Sequence, residues 1–176
     1  MTQLPTEIER KLIERCLDDD RMAQRELFLK YKDAMYTILC RMLNDEEEAA
    51  DALQETFVSV FKALNSYKHQ STLGAWIKSI VVRTGIAFLR RKSRLEVIPV
   101  DQVNSEPIIW PESLNGEILE KAIAQLSDGY RSVFLLIEVE GYSHQEVGKM
   151  LGISDGTSKS QLYHAKKRLQ QMLKEN

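Results

Sequence analysis

Residues 142–169, YSHQEVGKMLGISDGTSKSQLYHAKKRL, carry the reading of the fold. Ser143 and Glu146 stand in Ser-x-x-Glu order, which predicts a capping box and a helix start. Val147, Met150 and Leu151 give that short helix an apolar face. Gly152 follows as a stop, because glycine accepts φ > 0 without strain. Ser154 is then placed to cap a second helix. Two helices joined by so short a turn, the second ending basic, describe a helix-turn-helix. On the second helix Ser158, Leu162, Ala165, Leu169 and Met172 share one face and are expected to point inward. The opposite stripe is Thr157, Ser160, Gln161, His164 and Arg168, with Lys159 and Lys167 adding charge. Short hydroxyls near a helix N-terminus suit phosphates, and the Gln161 amide suits bidentate pairing with adenine, so this stripe has the chemistry of a major-groove reader.

Upstream, apolar residues recur at helical spacing and strand-like alternation is rare. Helices are predicted over about 7–17 and 21–43, the second through Leu27, Tyr31, Ala34, Ile38 and Met42. A third runs through Ala49, Leu53, Phe57, Val60, Phe61 and Leu64. A fourth runs through Leu73, Ile77, Ile80, Val81, Thr84 and Phe88, with Ser71 or Thr72 as its cap. Helices over about 117–126, 130–140, 144–151 and 155–173 complete the C-terminal part. Residues 95–116 hold three of the four prolines, Pro99, Pro107 and Pro111, and read as a linker. The expected fold class is all-α: two small helical domains, 1–94 and 117–176, joined by a flexible linker at 95–116.

The chain has 176 residues with 24 Lys+Arg against 26 Asp+Glu, a net charge of −2. As a total, that argues against nucleic-acid binding. Its distribution does not. Residues 1–55, 56–94, 95–116, 117–146 and 147–176 carry −6, +8, −4, −4 and +4. The +8 block has no acidic residue at all. Within it Arg83, Arg90 and Arg94 lie along one helical stripe, flanked by Arg91, Lys92 and Lys78, with Trp76 near its start and Tyr67 upstream. Cations interleaved with aromatics suit single-stranded nucleic acid, whose bases stack on rings while cations follow the backbone. For Phe88 core packing is the better reading, and for Trp76, off the main apolar stripe, core packing and base stacking both stay open. On the preceding helix Asp51, Gln54, Glu55 and Ser59 form a polar face opposite Leu53 and Phe57, either simply solvated or a docking face for a partner protein.

Other function classes are poorly served. His69, His144 and His164 fall in separate elements, and Cys16 and Cys40 have no ligand spacing, so no cofactor or metal is expected. The GISDG segment lacks the Gly-Lys that a phosphate-binding loop requires. No apolar run approaches a bilayer span and residues 1–14 are not a signal peptide. A cytoplasmic protein that is not an enzyme and does not insert in membranes is expected.

Three stretches together resemble the extracytoplasmic-function sigma factors, the minimal two-domain group of bacterial RNA polymerase initiation subunits. DALQETFVSVFKAL (51–64) is similar to the family's polymerase-binding helix. STLGAWIKSIVVRTGIAFLRRKSR (71–94) is similar to its promoter-melting helix. AIAQLSDGYRSVFLLIEVEGYSHQEVGKMLGISDGTSKSQLYHAKKRL (122–169) is similar to its last domain. The resemblance implies that Asp51, Gln54 and Glu55 meet the clamp coiled coil of core RNA polymerase, with the flap as a further contact. It implies that Trp76, Lys78, Arg83, Arg90, Arg91 and Arg94 engage the minus-ten promoter element. Thr157, Lys159, Ser160, Gln161, His164, Lys167 and Arg168 would read the minus-thirty-five element, and an anti-sigma factor is an expected partner. Arg83, Ala87, Ser158 and Gln161 depart from the family's usual Asn, Asp, Val and Arg. The competing reading is a helix-turn-helix regulator without a sigma role, and a third is a decoy that binds only an anti-sigma protein.

Overall fold

Helix starts fall where a neighbouring oxygen can satisfy the free amides of a first turn. In a computed structural model describing residues 6–91, 110 and 116–174, the Thr6 hydroxyl accepts from the Glu9 amide and Glu9 accepts from the Thr6 amide, opening α1 (Glu7–Leu17). Asp20 accepts from the Met22 and Ala23 amides to open α2 (Arg21–Leu43). Asp45 does the same for Glu48 in α3 (Glu46–Ala63). Of the two expected caps for α4 (Leu73–Arg91), it is Thr72 that accepts from the Ala75 amide. The C-terminal part holds α5 (Gly116–Ala124), α6 (Asp128–Phe134), α7 (His144–Leu151) and α8 (Asp155–Lys174). Among the described residues there is no strand, so the expected all-α class holds. The chain divides into two compact units, Met1–Phe88 and Leu89–Asn176.

In the first unit Leu12, Ile13 and Cys16 of α1 are buried, as are Leu27, Met35, Leu39, Met42 and Leu43 of α2 and Ala49, Ala52, Phe57 and Val60 of α3. The expected stripe on α2 is corrected at Ala34, which is exposed, and Ile38, which is half-buried. Over 23 residues a 3.6-residue turn drifts, and the seam passes to Met35 and Leu39. On α4 the buried arc is wider than expected: Val82, Ile86 and Leu89 join Leu73, Ile77 and Val81. Ile80, Thr84 and Phe88 are only half-buried. Glu9 ties α1 to α2, accepting from Lys30 Nζ at 2.8 Å and from the Tyr31 hydroxyl at 3.1 Å. The Lys30 ammonium, chiefly, holds the Glu9 carboxyl below the ordinary carboxylate range. Cys16 is an inert core thiol, pushed up to about 11 by burial.

In the second unit Arg131 is 2% exposed. Its guanidinium donates to the Leu126 carbonyl at 2.7 Å and pairs with Asp128. It thereby satisfies backbone left open beyond the end of α5. The segment expected as one helix over 130–140 changes winding midway. Leu135–Val139 is a π-type stretch, in which the Glu140 amide reaches back five residues to the Leu135 carbonyl at 2.9 Å. Leu126, Val133, Phe134, Leu136, Val147, Leu162, Ala165 and Leu169 form the core.

The turn between α7 and α8 is the tightest feature. Both halves of the Ser143–Glu146 capping box are present, and Gly152 takes the left-handed φ of 73°. The Gly148 carbonyl accepts from the amides of Gly152 at 2.8 Å and Ile153 at 3.0 Å. A Cβ on Gly148 would stand 2.8 Å from the Ile153 carbonyl oxygen. That neighbour is backbone and cannot swing aside. Gly148→Ala is therefore expected to cost about 1–3 kcal/mol in denaturant unfolding of the full chain. Gly116→Ala, where nothing lies within 4 Å, should change stability by less than about 0.5 kcal/mol.

A second expectation concerns pH. Because the folded state lowers the Glu9 pKa, its stabilisation is complete above the unfolded carboxylate value, about 4.3. It is lost as pH falls through the folded value. Glu9→Gln should cost only about 0.5 kcal/mol at pH 7, since Lys30 is half in water. The urea midpoints of the two proteins should converge on the acid side.

Candidate functional site

Three surfaces hold the candidate residues, one on α3, one on α4, whose last residues from Leu89 on fall in the second unit, and one on α8. On α3 the side chains of Asp51, Gln54 and Glu55 are exposed while Thr56 and Phe57 point into the core. Spacings of three and four residues put them on one face. Val58, seven residues after Asp51, continues that face and is 53% exposed. Acidic residues are also concentrated in the first turn of this helix, at Glu46, Glu47 and Glu48, where the helix dipole favours negative charge. The result is an acidic, open face with an apolar residue among its polar ones.

On α4 the residues Trp76, Arg83 and Arg90 follow one another at seven-residue intervals, two turns and roughly 10 Å apart. Arg83, Arg90 and Arg91 are exposed. Trp76 is half-buried, its ring 5.3 Å from that of Tyr67, which in turn lies 4.5 Å from the His69 ring. The Tyr67 hydroxyl donates to the Ser71 carbonyl at 2.5 Å, fixing the ring beside the start of α4. Trp76 is thus held by an aromatic neighbour with part of its surface open. Lys78 falls roughly 200° round the helix from Trp76 and is half-buried, so it does not share the stripe. Arg94, Lys92 and most of the 95–116 linker lie outside the described residues.

On the second unit α8 buries Ser158, Leu162, Ala165 and Leu169, as expected, while Met172 is half-buried. Ser158 is buried completely, and its hydroxyl lies 2.9 Å from His144 Nδ1 on α7. A polar atom on the inward face is tolerated there because an imidazole from the first helix of the motif meets it. Sequence reading marked Ser158 as out of place but did not name its partner.

The opposite stripe requires a correction. Ser160 and Gln161 are only 2% and 4% exposed, so the stripe is not open along its whole length. Gln161 is three residues after Ser158 and four before Ala165, which puts it on the flank of the inward face. Ser160 is short, and the longer side chains of Tyr163 and His164 lean toward the helix N-terminus over its turn. Thr157 and His164 are half-buried, and Lys159, Lys167 and Arg168 are exposed. The Thr157 hydroxyl is 2.8 Å from that of Ser154, so it is partly engaged in the cap. Lys159 pairs with Asp155 at 2.7 Å, and Lys167 stands 6.0 Å from the centre of the Tyr163 ring. What stays open is a cationic face weighted toward the second half of α8.

Two family models match the chain in order. One described as sigma-70 region 2 covers residues 27–95, and one described as sigma-70 region 4 covers residues 116–169. The chain is 27% identical over 157 residues to the extracytoplasmic-function (ECF) RNA polymerase sigma factor SigE of Mycolicibacterium smegmatis, an alignment spanning 84% of this chain and 60% of that one. It is 29% identical over 191 residues to the RNA polymerase sigma-H factor of Pseudomonas aeruginosa, spanning 98% and 99% of the two chains. Among solved structures it is similar to the sigma factor RpoE of Bartonella quintana, in complex with the anti-sigma factor NepR. That likeness has a TM-score of 0.57 at 26% identity and covers 85% of this chain and 96% of the other. No helix among the described residues is long and apolar enough to cross a membrane.

The His144–Ser158 pair can be tested within the motif. His144→Ala strands a buried hydroxyl and should cost about 1–3 kcal/mol of unfolding free energy. Ser158→Ala should restore part of that loss in the double variant, a non-additivity that a double-mutant cycle by urea denaturation would read.

Proposed function

This chain belongs to the sigma-70 family of RNA polymerase sigma factors, in its extracytoplasmic-function group, and we propose that its two units divide the work of promoter recognition. The first unit docks on core polymerase through the exposed Asp51, Gln54 and Glu55 face of α3, against the clamp coiled coil. Trp76, Arg83, Arg90 and Arg91 on α4, with Arg94 beyond it, engage the minus-ten element. The rings supply stacking for a displaced base and the guanidiniums follow the phosphates. Flipping a base from the stack costs a few kcal/mol, which contacts of this kind offset. The second unit takes the minus-thirty-five element with Thr157, Lys159, His164, Lys167 and Arg168 of α8.

Residues 1–94 and 117–176 are the working domains in this reading. The acidic segment 95–116 lies in a polymerase channel otherwise used by RNA, and the site of action is the bacterial cytoplasm. RpoE was solved with an anti-sigma factor, and we infer a partner of the same class for this chain.

The observation that carries the proposal is the order of the two matched regions on one chain, each ending in a cationic stretch. A helix-turn-helix regulator without a sigma role would leave the region 2 match and the open acidic face of α3 without a purpose.

Run-off transcription tests it. Core polymerase given this chain should start at defined positions on a cognate promoter, and absence of any specific start would overturn the proposal. Replacing Asp51 and Glu55 together by Lys should abolish co-elution with core polymerase, a loss of at least about 100-fold in affinity on the scale of buried charge pairs at interfaces. Helicity should be unchanged, because both side chains are exposed.

A further inference from the structure

We propose that a cavity between α6 and α8, lined by Tyr130, His164, Lys167, Arg168 and Gln171, is a seat for one phosphate of the duplex DNA backbone. The inference rests on reading α8 as the DNA helix and adds to it a site with its own chemistry. Its volume is about 170 Å³, below the roughly 300–1,000 Å³ of pockets that enclose drug-sized ligands. Such a space suits a small group presented from outside better than an enclosed molecule.

The lining carries no carboxylate and offers a phenol, an imidazole, an ammonium, a guanidinium and an amide. His164, Lys167, Arg168 and Gln171 stand at i, i+3, i+4 and i+7, which places them on one face of α8. Tyr130 comes from α6, its ring 6.3 Å from that of His164 and inclined 30° to it. Two cations of the same helix are occupied, Lys159 by Asp155 and Lys166 by Glu138, each at 2.7 Å. The two that line the cavity are different: among the described residues Lys167 and Arg168 make no ion pair, and the Tyr130 hydroxyl has no hydrogen-bond partner. Unspent donors thus converge where anionic oxygens can meet them.

Position along the helix selects the backbone over the bases. Arg168 lies eleven residues beyond Thr157, roughly 16 Å along the axis. The major groove is about 12 Å wide. A helix entering it by its N-terminal end therefore carries Arg168 past the base edges to the strand's phosphates. The seat positions the helix and reads no sequence.

The test uses the full chain and a short labelled duplex of arbitrary sequence, titrated by fluorescence anisotropy from low to moderate salt. Tyr130→Phe keeps the ring and should weaken binding roughly two- to tenfold. The slope of log K against log salt should not change, since no charge is lost. Arg168→Ala should lower that slope by about one. Neither variant should alter the sequences preferred in a pool selection. Wild-type affinity for Tyr130→Phe, an unchanged slope for Arg168→Ala, a changed sequence preference, or no duplex binding by the wild type at the lowest salt would each overturn the seat. Run-off transcription by the wild type keeps the parent reading separate. Specific starts with an inert Tyr130→Phe reject the phosphate seat alone, and no starts reject the sigma assignment.

Discussion

The carbonyl of Gly148 accepts two amides at once, those of Gly152 and Ile153, and the Ile153 carbonyl lies where a Gly148 side chain would have to be. This close approach sets the angle between α7 and α8 and, with it, the register of α8 against the rest of its unit. Once the turn is closed, Val147 has one place to go, and Ser158 faces His144. Leu162, Ala165 and Leu169 then follow at helical spacing into the core. Every side chain left on the outside of α8 is there because of that register.

Local chemistry was legible in the sequence because it acts over three or four residues. The caps at Thr72 and Ser143, the left-handed Gly152, and the helix limits they set follow from short-range hydrogen bonding and backbone sterics. Features that depend on how many neighbours a helix has were harder to read. Val82, Ile86 and Leu89 widen the buried arc of α4 because more than one side of it is covered, and periodicity within one helix does not count its neighbours. Gln161 stands with the outer stripe in the sequence reading, although its spacing to Ser158 and Ala165 already puts it on the flank. Arg131 spends its donors on the Leu126 carbonyl and Asp128, a burial that its residue type does not announce. The π-type stretch at Leu135–Val139 has no signature in residue type.

The candidate surfaces were legible in a different way, through charge. A total of −2 says nothing about binding, because charges more than about 10 Å apart are screened at ordinary salt. The basic and acidic blocks therefore act locally. Ion pairing within a helix sharpens the picture further. Lys159 and Lys166 are paired with Asp155 and Glu138, so the remaining positive charge of α8 lies in its second half, at Lys167, Arg168 and Lys174.

That concentration bears on how such a chain avoids being titrated by bulk DNA. Non-specific affinity grows with the number of phosphates neutralised at once, and a short cationic face neutralises few. Acidic stretches elsewhere on the chain, at residues 1–55 and 117–146, repel a duplex that approaches by them. Holding both units on one promoter makes the second contact intramolecular, and the linked affinity exceeds what either face supplies alone. Polymerase is the body able to hold them so, and the acidic face of α3, which repels nucleic acid, is the face proposed to meet it.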